Sequence, residues 1–336
     1  MTRTTTAIGY TDNLPITDPA SLVEREIELP EPGPHDLVVA VEAVSVNPID
    51  TKVRRAQPSG GFRVLGFDAA GTVVAVGSEV TIFAVGAGVA YAGQVNRNGS
   101  NSRLQLIDER IVGRRPAGLT WEEAASLPLT ALTAWESVMD RLALTGASEG
   151  TLLVIGATGG VGVVLLQLAE ALLPGVRVIA TASDDERAAL VRELGAEEVV
   201  DHHGDLAAQV LSLAPEGVDW LFTSHSEDMA DTFAQVVRPF GEIVAIDVAP
   251  GNLEALKSKS ITWHWESMFT RAVHRTPDIA EQHSILERLA DLVEEGQVRP
   301  VIQERVRPIN AETLRAAHER IESGRTLGKI VLSGWE

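Results

Sequence analysis

The chain has 336 residues, 45% of them hydrophobic, which suits two domains of about 150 residues each around a large buried core. A formal net charge of −19 argues against nucleic acid and anionic membranes as partners. The absence of cysteine excludes disulfides, an essential thiol and any cysteine-ligated metal. Met1–Tyr10 has no signal-like apolar core and no run reaches membrane-spanning length, so a cytoplasmic protein is expected.

The first third is expected to be β-rich. Asp36–Val46 and Ala70–Val76 have β-branched strand character between Gly and Pro breaks. Asn47–Gly66, with Pro58, Gly60 and Gly61, reads as loop, and Gly93–Ser102 as a second polar loop after Tyr91. At Thr120 the texture changes. Thr120-Trp121-Glu122-Glu123 is a capping box that opens a long helical pattern towards Leu142. Short apolar strands follow at Leu152–Ile155, Arg177–Thr181, Glu198–Asp201, Asp219–Phe222 and Glu242–Ile246, with helices starting near Gly160, Asp184, Asp205 and Glu227. That alternation predicts an α/β fold built on a doubly wound parallel sheet. A helix-rich tail follows Trp265, and Lys329–Ser333 is a last strand. The division expected is 123–265 for the α/β domain and 1–122 with 266–336 for the β-rich one.

Leu152–Ile155 runs into Gly156-Ala157-Thr158-Gly159-Gly160-Val161-Gly162 and then an apolar helix. Strand, glycine turn and helix together form the context of a dinucleotide fingerprint. Glycines admit the pyrophosphate to the backbone, and unpaired N–H groups at the helix start bind it. Gly156, Ala157, Thr158, Gly159, Gly160 and Val161 are therefore cofactor-binding candidates. The spacing also satisfies the short-chain dehydrogenase loop, but it lies far from the N-terminus, and neither Tyr10 nor Tyr91 has a lysine four places on. NAD-binding chains usually end their second strand on an acid that bonds the ribose hydroxyls. Here that strand ends Ala180-Thr181-Ala182-Ser183, so Ser183 and Arg187 are nominated for the 2′-phosphate of NADPH. Ser183-Asp184-Asp185-Glu186 is equally a capping box, and NADH stays possible with Asp184 as its ribose contact.

The resemblance rests on five segments. They are Ser45-Val46-Asn47-Pro48-Ile49-Asp50-Thr51-Lys52, Leu65-Gly66-Phe67-Asp68-Ala69-Ala70-Gly71, the run from Ala124 to Trp135, the nucleotide loop, and Leu194-Gly195-Ala196. With these in order, the chain resembles the zinc-free quinone oxidoreductase branch of the medium-chain dehydrogenase/reductase superfamily, and most closely its "zinc-type alcohol dehydrogenase-like" subgroup. The resemblance implies a GroES-like catalytic domain joined to a Rossmann domain. It also implies a homodimer, and NADPH-dependent hydride transfer to a quinone or an enone. By motif, the catalytic zinc ligands of the superfamily's alcohol dehydrogenases fall on Asn47, Phe67 and Leu129, none of which binds zinc. The four-cysteine structural lobe is replaced by Gly93–Ser102. No metal is expected, and without a Lewis acid conjugated acceptors are favoured, because conjugation spreads the charge that hydride brings.

Under the same resemblance Asn47 lies beside the nicotinamide and Asp50 shapes its pocket. Lys52 stands where relatives have a tyrosine and would donate a hydrogen bond or proton to the developing enolate; Asp50 and Lys52 read equally as an ion pair. Phe67 and Tyr91 would wall the substrate, and Thr133 would contact the nicotinamide. His202 would lie against the adenine or its phosphate, and Lys329 on a segment that folds back to the cofactor. Quinones and 2-alkenals are separated by loops such as Gln57–Arg63. Two other readings stay open: a nucleotide-binding sensor or interaction protein with little catalysis, and a zinc alcohol dehydrogenase, which the missing ligands oppose.

Overall fold

The computed structural model describes residues 3–56, 60–248 and 251–336. Two compact units emerge, Met1–Leu129 with Phe269–Glu336, and Thr130–Met268. The first unit begins with strands β1 (Arg3–Tyr10), β2 (Val23–Leu29) and β3 (Asp36–Val46), helix α1 (Pro48–Ala56), and strands β4 (Arg63–Val64) and β5 (Ala69–Val76). It continues through β6 (Gly88–Tyr91), β7 (Leu104–Asp108), β8 (Val112–Arg114) and the short helix α2 (Trp121–Ala125). Helix α3 (Pro128–Trp135) leads into the second unit. There β9 (Gly150–Ile155), α4 (Gly160–Leu172), β10 (Val176–Ala182), α5 (Asp185–Glu193) and β11 (Glu198–Asp201) come first. After α6 (Leu206–Leu213), β12 (Val218–Thr223) and α7 (Ala230–Val236) come β13 (Val237–Ala245), α8 (Glu254–Lys257) and β14 (Thr262–Trp265). The chain returns to the first unit with α9 (Thr270–His274), α10 (Glu281–Glu294), β15 (Ile302–Val306), α11 (Ala311–Glu322) and β16 (Lys329–Ser333).

The second unit is the doubly wound sheet that the alternation predicts. Its strands are all parallel, in the order β11-β10-β9-β12-β13-β14. Leu153, Ile179, Leu221 and Ile243 lie at the centre of its core and are fully buried. Because parallel strands end on the same side, the turns after β9, β10, β11 and β12 share one edge of the sheet, where ligands bind in such folds. The first unit has a seven-stranded sheet ordered β15-β16-β3-β5-β6-β8, with β7 also on β3, and a smaller sheet ordered β2-β1-β4. Strand β3 is nearly continuously buried, which explains its unbroken apolar run.

The structure corrects several boundaries. Asn47–Gly66 is not all loop, since α1 occupies Pro48–Ala56. The start signals are local: proline at the first helical position, and Asp50 reaching back to accept the Asn47 N–H at 2.8 Å. The capping box at Thr120 forms, but its helix stops at Ala125 and a new one starts at Pro128, whose ring cannot continue the first. Strands β1, β2 and β14 have no counterpart among the strands expected from the sequence. Of the specificity loop, Gln57, Pro58 and Ser59 lie outside the described residues. Among the described residues no helix is long and apolar enough to cross a membrane.

Candidate active site

In the first unit the polar centre forms where β3 runs into α1. Gly66 turns the chain at φ +111°, a conformation open chiefly to glycine, so that Phe67 and Asp68 lead into β5. The short 93–102 loop supports this turn: Ser100 N–H and Asn101 N–H donate to the carbonyls of Gly66 and Leu65, and Ser100 Oγ to that of Asp68. Strand β16 lies antiparallel to β3 with Ile330 opposite Val46, which brings Lys329 beside Asn47.

The resulting contacts are closed. Lys329 Nζ donates to Asp68 Oδ2 at 2.8 Å and to Asn47 Oδ1. Asn47 Nδ2 donates to Asp68 Oδ2 at 3.0 Å, and its remaining acceptors are the Ser45 and Phe67 carbonyls at 3.3 and 3.4 Å. The other Asp68 oxygen accepts the Leu129 N–H at 2.8 Å. Asp50 accepts from Asn47 N–H and, at 3.0 Å, from Gly66 N–H. All four polar side chains are buried, Lys329 included at 4% exposure. Burial pushes the Asp50 carboxyl up to about 7 and raises Asp68 as well, the latter against the pull of the Lys329 ammonium.

Two nominated residues behave otherwise. Lys52 is exposed on α1, and Asp50 and Lys52 form no pair: positions two apart on a helix point in different directions, and both Asp50 oxygens are taken by backbone. The lysine that reaches the polar centre is Lys329. Tyr91 is fully buried, with its hydroxyl on Gln105 Oε1 at 2.8 Å. Phe67 is also buried, its ring edge-on to Phe269 at 5.4 Å. Asn47 has its amide donors directed at protein acceptors, so it positions Lys329 and Asp68 as built.

The second unit carries the rest. Gly156 follows β9 at φ +83°, and a Cβ there would stand 2.2 Å from Ser224 Oγ; its N–H donates to Thr181 Oγ1 at 3.1 Å. No side chain caps α4 behind Gly159, which leaves the first-turn N–H groups around Gly160 and Val161 for an anion. Ala157 is buried and Thr158 half-buried. This cradle fits a dinucleotide pyrophosphate. On the same edge, Asp184 rather than Ser183 caps α5, accepting Arg187 N–H at 2.9 Å. Its carboxylate also takes Ser183 Oγ at 3.0 Å and Arg187 Nη1 at 2.5 Å. Both nominated phosphate donors are thus held by Asp184. His202 lies against His203, the ring centroids 4.3 Å apart and the planes tilted by 46°. Burial, with His203 beside it, lowers its pKa. Thr133 is buried in α3. Sequence reasoning missed Thr181, Ser224 and the bond between Ser224 and His225 Nδ1 at 2.9 Å, because nothing local marks strand-end hydroxyls as loop supports.

A zinc ion does not fit the polar centre. Of its two carboxylates Asp68 already serves Lys329, Asn47 and Leu129 and Asp50 two backbone N–H groups, and an ammonium stands where a divalent cation would need further ligands. Among the described residues no group of three or more His, Asp or Glu is placed to hold a metal.

Comparison with known proteins agrees with this architecture. Residues 33–135 match the alcohol dehydrogenase GroES-like domain and residues 194–332 the zinc-binding dehydrogenase family. A zinc-type alcohol dehydrogenase-like protein of Staphylococcus epidermidis is 36% identical, covering 97% of this chain and 99% of its own. A quinone oxidoreductase of Pseudomonas aeruginosa is 34% identical over 94% of this chain and 96% of its own. Among solved structures, a Rhizobium etli protein provisionally described as a zinc-dependent alcohol dehydrogenase superposes with a TM-score of 0.96 at 42% identity, covering 100% of both chains. A quinone oxidoreductase of Pseudomonas syringae gives 0.81 at 27%, covering 98% of this chain and 99% of its own. Fold and site together define an oxidoreductase with a nucleotide-binding unit and a GroES-like unit. The chain belongs to the medium-chain dehydrogenase/reductase superfamily, among its zinc-type alcohol dehydrogenase-like and quinone oxidoreductase members.

Proposed function

We infer that the chain is a zinc-independent, NADPH-dependent reductase of quinones or α,β-unsaturated carbonyls, acting in the cytoplasm as a homodimer. The observation that carries this reading is the polar centre itself. It offers a fixed ammonium and amide where a metal-dependent alcohol dehydrogenase needs three open ligands. Without a Lewis acid, acceptors whose charge is delocalised by conjugation are favoured.

The bound dinucleotide would supply the hydride and both electrons. The chain's residues bind and orient it: the Gly156–Val161 backbone takes the pyrophosphate, Ser183 and Arg187 the 2′-phosphate, and His202 the adenine side. Strand β10 ends on Ala182 without a carboxylate, which favours NADPH, provided Asp184 yields its two donors. Asn47, Asp50 and Phe67 order the reacting end. Support for the homodimer comes from β14, an edge strand ending in Trp265, 51% exposed, near the end of a sheet that also leaves Phe240 exposed at 75%.

Absorbance at the reduced-nicotinamide band, with NADPH or NADH against a small quinone and a 2-alkenal, tests the reading. Turnover preferring NADPH, in protein free of metal by elemental analysis and dimeric by light scattering, is expected. Cofactor binding with no turnover of either acceptor would overturn it.

A further inference from the structure

Lys329 has two acceptors, Asp68 Oδ2 and Asn47 Oδ1, for three ammonium hydrogens. Among the described residues its third hydrogen meets no acceptor. Two fixed bonds remove the ammonium's rotation, so that third N–H points in one set direction. We propose that Lys329 is the electrophile of the reaction, donating this hydrogen bond to the substrate's carbonyl oxygen as it becomes an enolate or quinolate. Asp68 and Asn47 are its positioning residues. This assignment rests on the reductase reading above.

The charge bookkeeping is consistent. In an enone the β-carbon takes a hydride, two electrons and one hydrogen nucleus, from C4 of the reduced nicotinamide, leaving the dinucleotide oxidised. The carbon–carbon π pair shifts to the α-carbon–carbonyl bond, and the carbonyl π pair moves to oxygen. Negative charge thereby develops on the enolate, most of it on oxygen, and a proton from water later adds at the α-carbon to complete the product. A quinone oxygen gains charge in the same way. The Asp68–Lys329 pair is neutral as a whole, and Asp50 sits in the same buried centre with its carboxyl pushed up to about 7. A fixed donor in such a water-poor site needs no reorganisation when charge appears, and losing one comparable donor costs about 100–1,000-fold in rate. Neither Lys52, exposed on α1, nor Tyr91, committed to Gln105, offers an equivalent.

The test pairs a rate with a binding signal. Lys329→Met alone strands a buried carboxylate, so the main variant is Lys329→Met with Asp68→Asn, which leaves no ion unpaired. Single-turnover hydride transfer at saturating NADPH, with saturation checked by fluorescence, should fall about 100-fold or more. Independently, 4-nitrophenol, whose phenolate absorbs in the visible, should ionise at lower pH when bound to the NADP⁺ complex of the unaltered protein than when free. A double variant that transfers hydride within threefold of the parent, or bound 4-nitrophenol with an unshifted titration, overturns the assignment of Lys329. A parent protein that turns over neither quinone nor alkenal sinks the reductase reading and this assignment with it.

Discussion

Asp68 and Lys329 stand 261 residues apart in the chain, yet their side chains meet at 2.8 Å in a centre almost closed to water. The pair is made by strand register: β16 beside β3, and β3 beside β5. Breaking it from one side should be costly. Asp68→Ala leaves an unpaired buried ammonium and is expected to destabilise the protein by about 3–5 kcal/mol. Urea unfolding checks this, and the neutral Asp68→Asn, Lys329→Met double variant should cost much less than the two single variants combined.

Stability against pH should show two opposing slopes. Asp50 has its folded pKa raised to about 7, so between about 4 and 7 the folded state holds a proton that the unfolded chain has lost. Its contribution therefore falls as pH rises through that window. His318, fully buried on α11 with both ring nitrogens unpartnered, has its folded pKa lowered to about 3 by burial and by nearby Arg54. Its contribution is present above the unfolded value of about 6.5 and is lost as pH falls towards 3. Each slope approaches about 1.4 kcal/mol per pH unit. Between pH 4 and 6.5 they offset each other. His318→Gln should expose stability that falls with rising pH, and Asp50→Asn stability that rises. Parallel denaturation curves at pH 4.5, 5.5 and 6.5 decide it; identical slopes in parent and variants would remove both assignments.

The nucleotide turn gives a separable prediction. Gly156→Ala meets two penalties, a left-handed backbone and a Cβ 2.2 Å from Ser224 Oγ. Backbone strain of this kind costs about 1–3 kcal/mol. Adding Ser224→Gly should restore only the steric share, so thermal stability recovers in part while NADPH affinity stays weakened. Full recovery would mean that the turn tolerates the conformation.

Cofactor preference should respond to Asp184. Its carboxylate holds Ser183 and Arg187 and would repel a 2′-phosphate. Asp184→Asn is expected to raise the kcat/KM ratio of NADPH to NADH about tenfold, on the order of 1.4 kcal/mol. A shift the other way would make Ser183 and Arg187 plain parts of the helix start.

Much of the fold was legible because its signals are local. Alternating apolar strands and helices gave the parallel sheet, and Leu152–Ile155 with Gly156–Gly162 gave the turn that opens α4. The helix start at Pro48 was equally local, but Pro58 and the following glycines masked it as loop. Lys52 is nominated because it stands where relatives have a tyrosine, whereas helical geometry turns it outward. What chose Lys329 instead was the pairing of Ile330 with Val46, a contact between distant segments that no local spacing carries. Ser183 opened an apparent capping box, but Asp184, an equally good cap one residue later, won the position.

The register that places Lys329 also sets an order of assembly. A nascent chain that has not reached residue 329 holds Asp50 and Asp68 without their cation, and its central strand β3 lacks β16 on one side. The glycine turn after β9 is complete within the second unit, whereas Asn47 meets Lys329 only on a strand made some 280 residues later. A ribosome-bound intermediate therefore has its glycine turn formed while its polar centre still waits for Lys329.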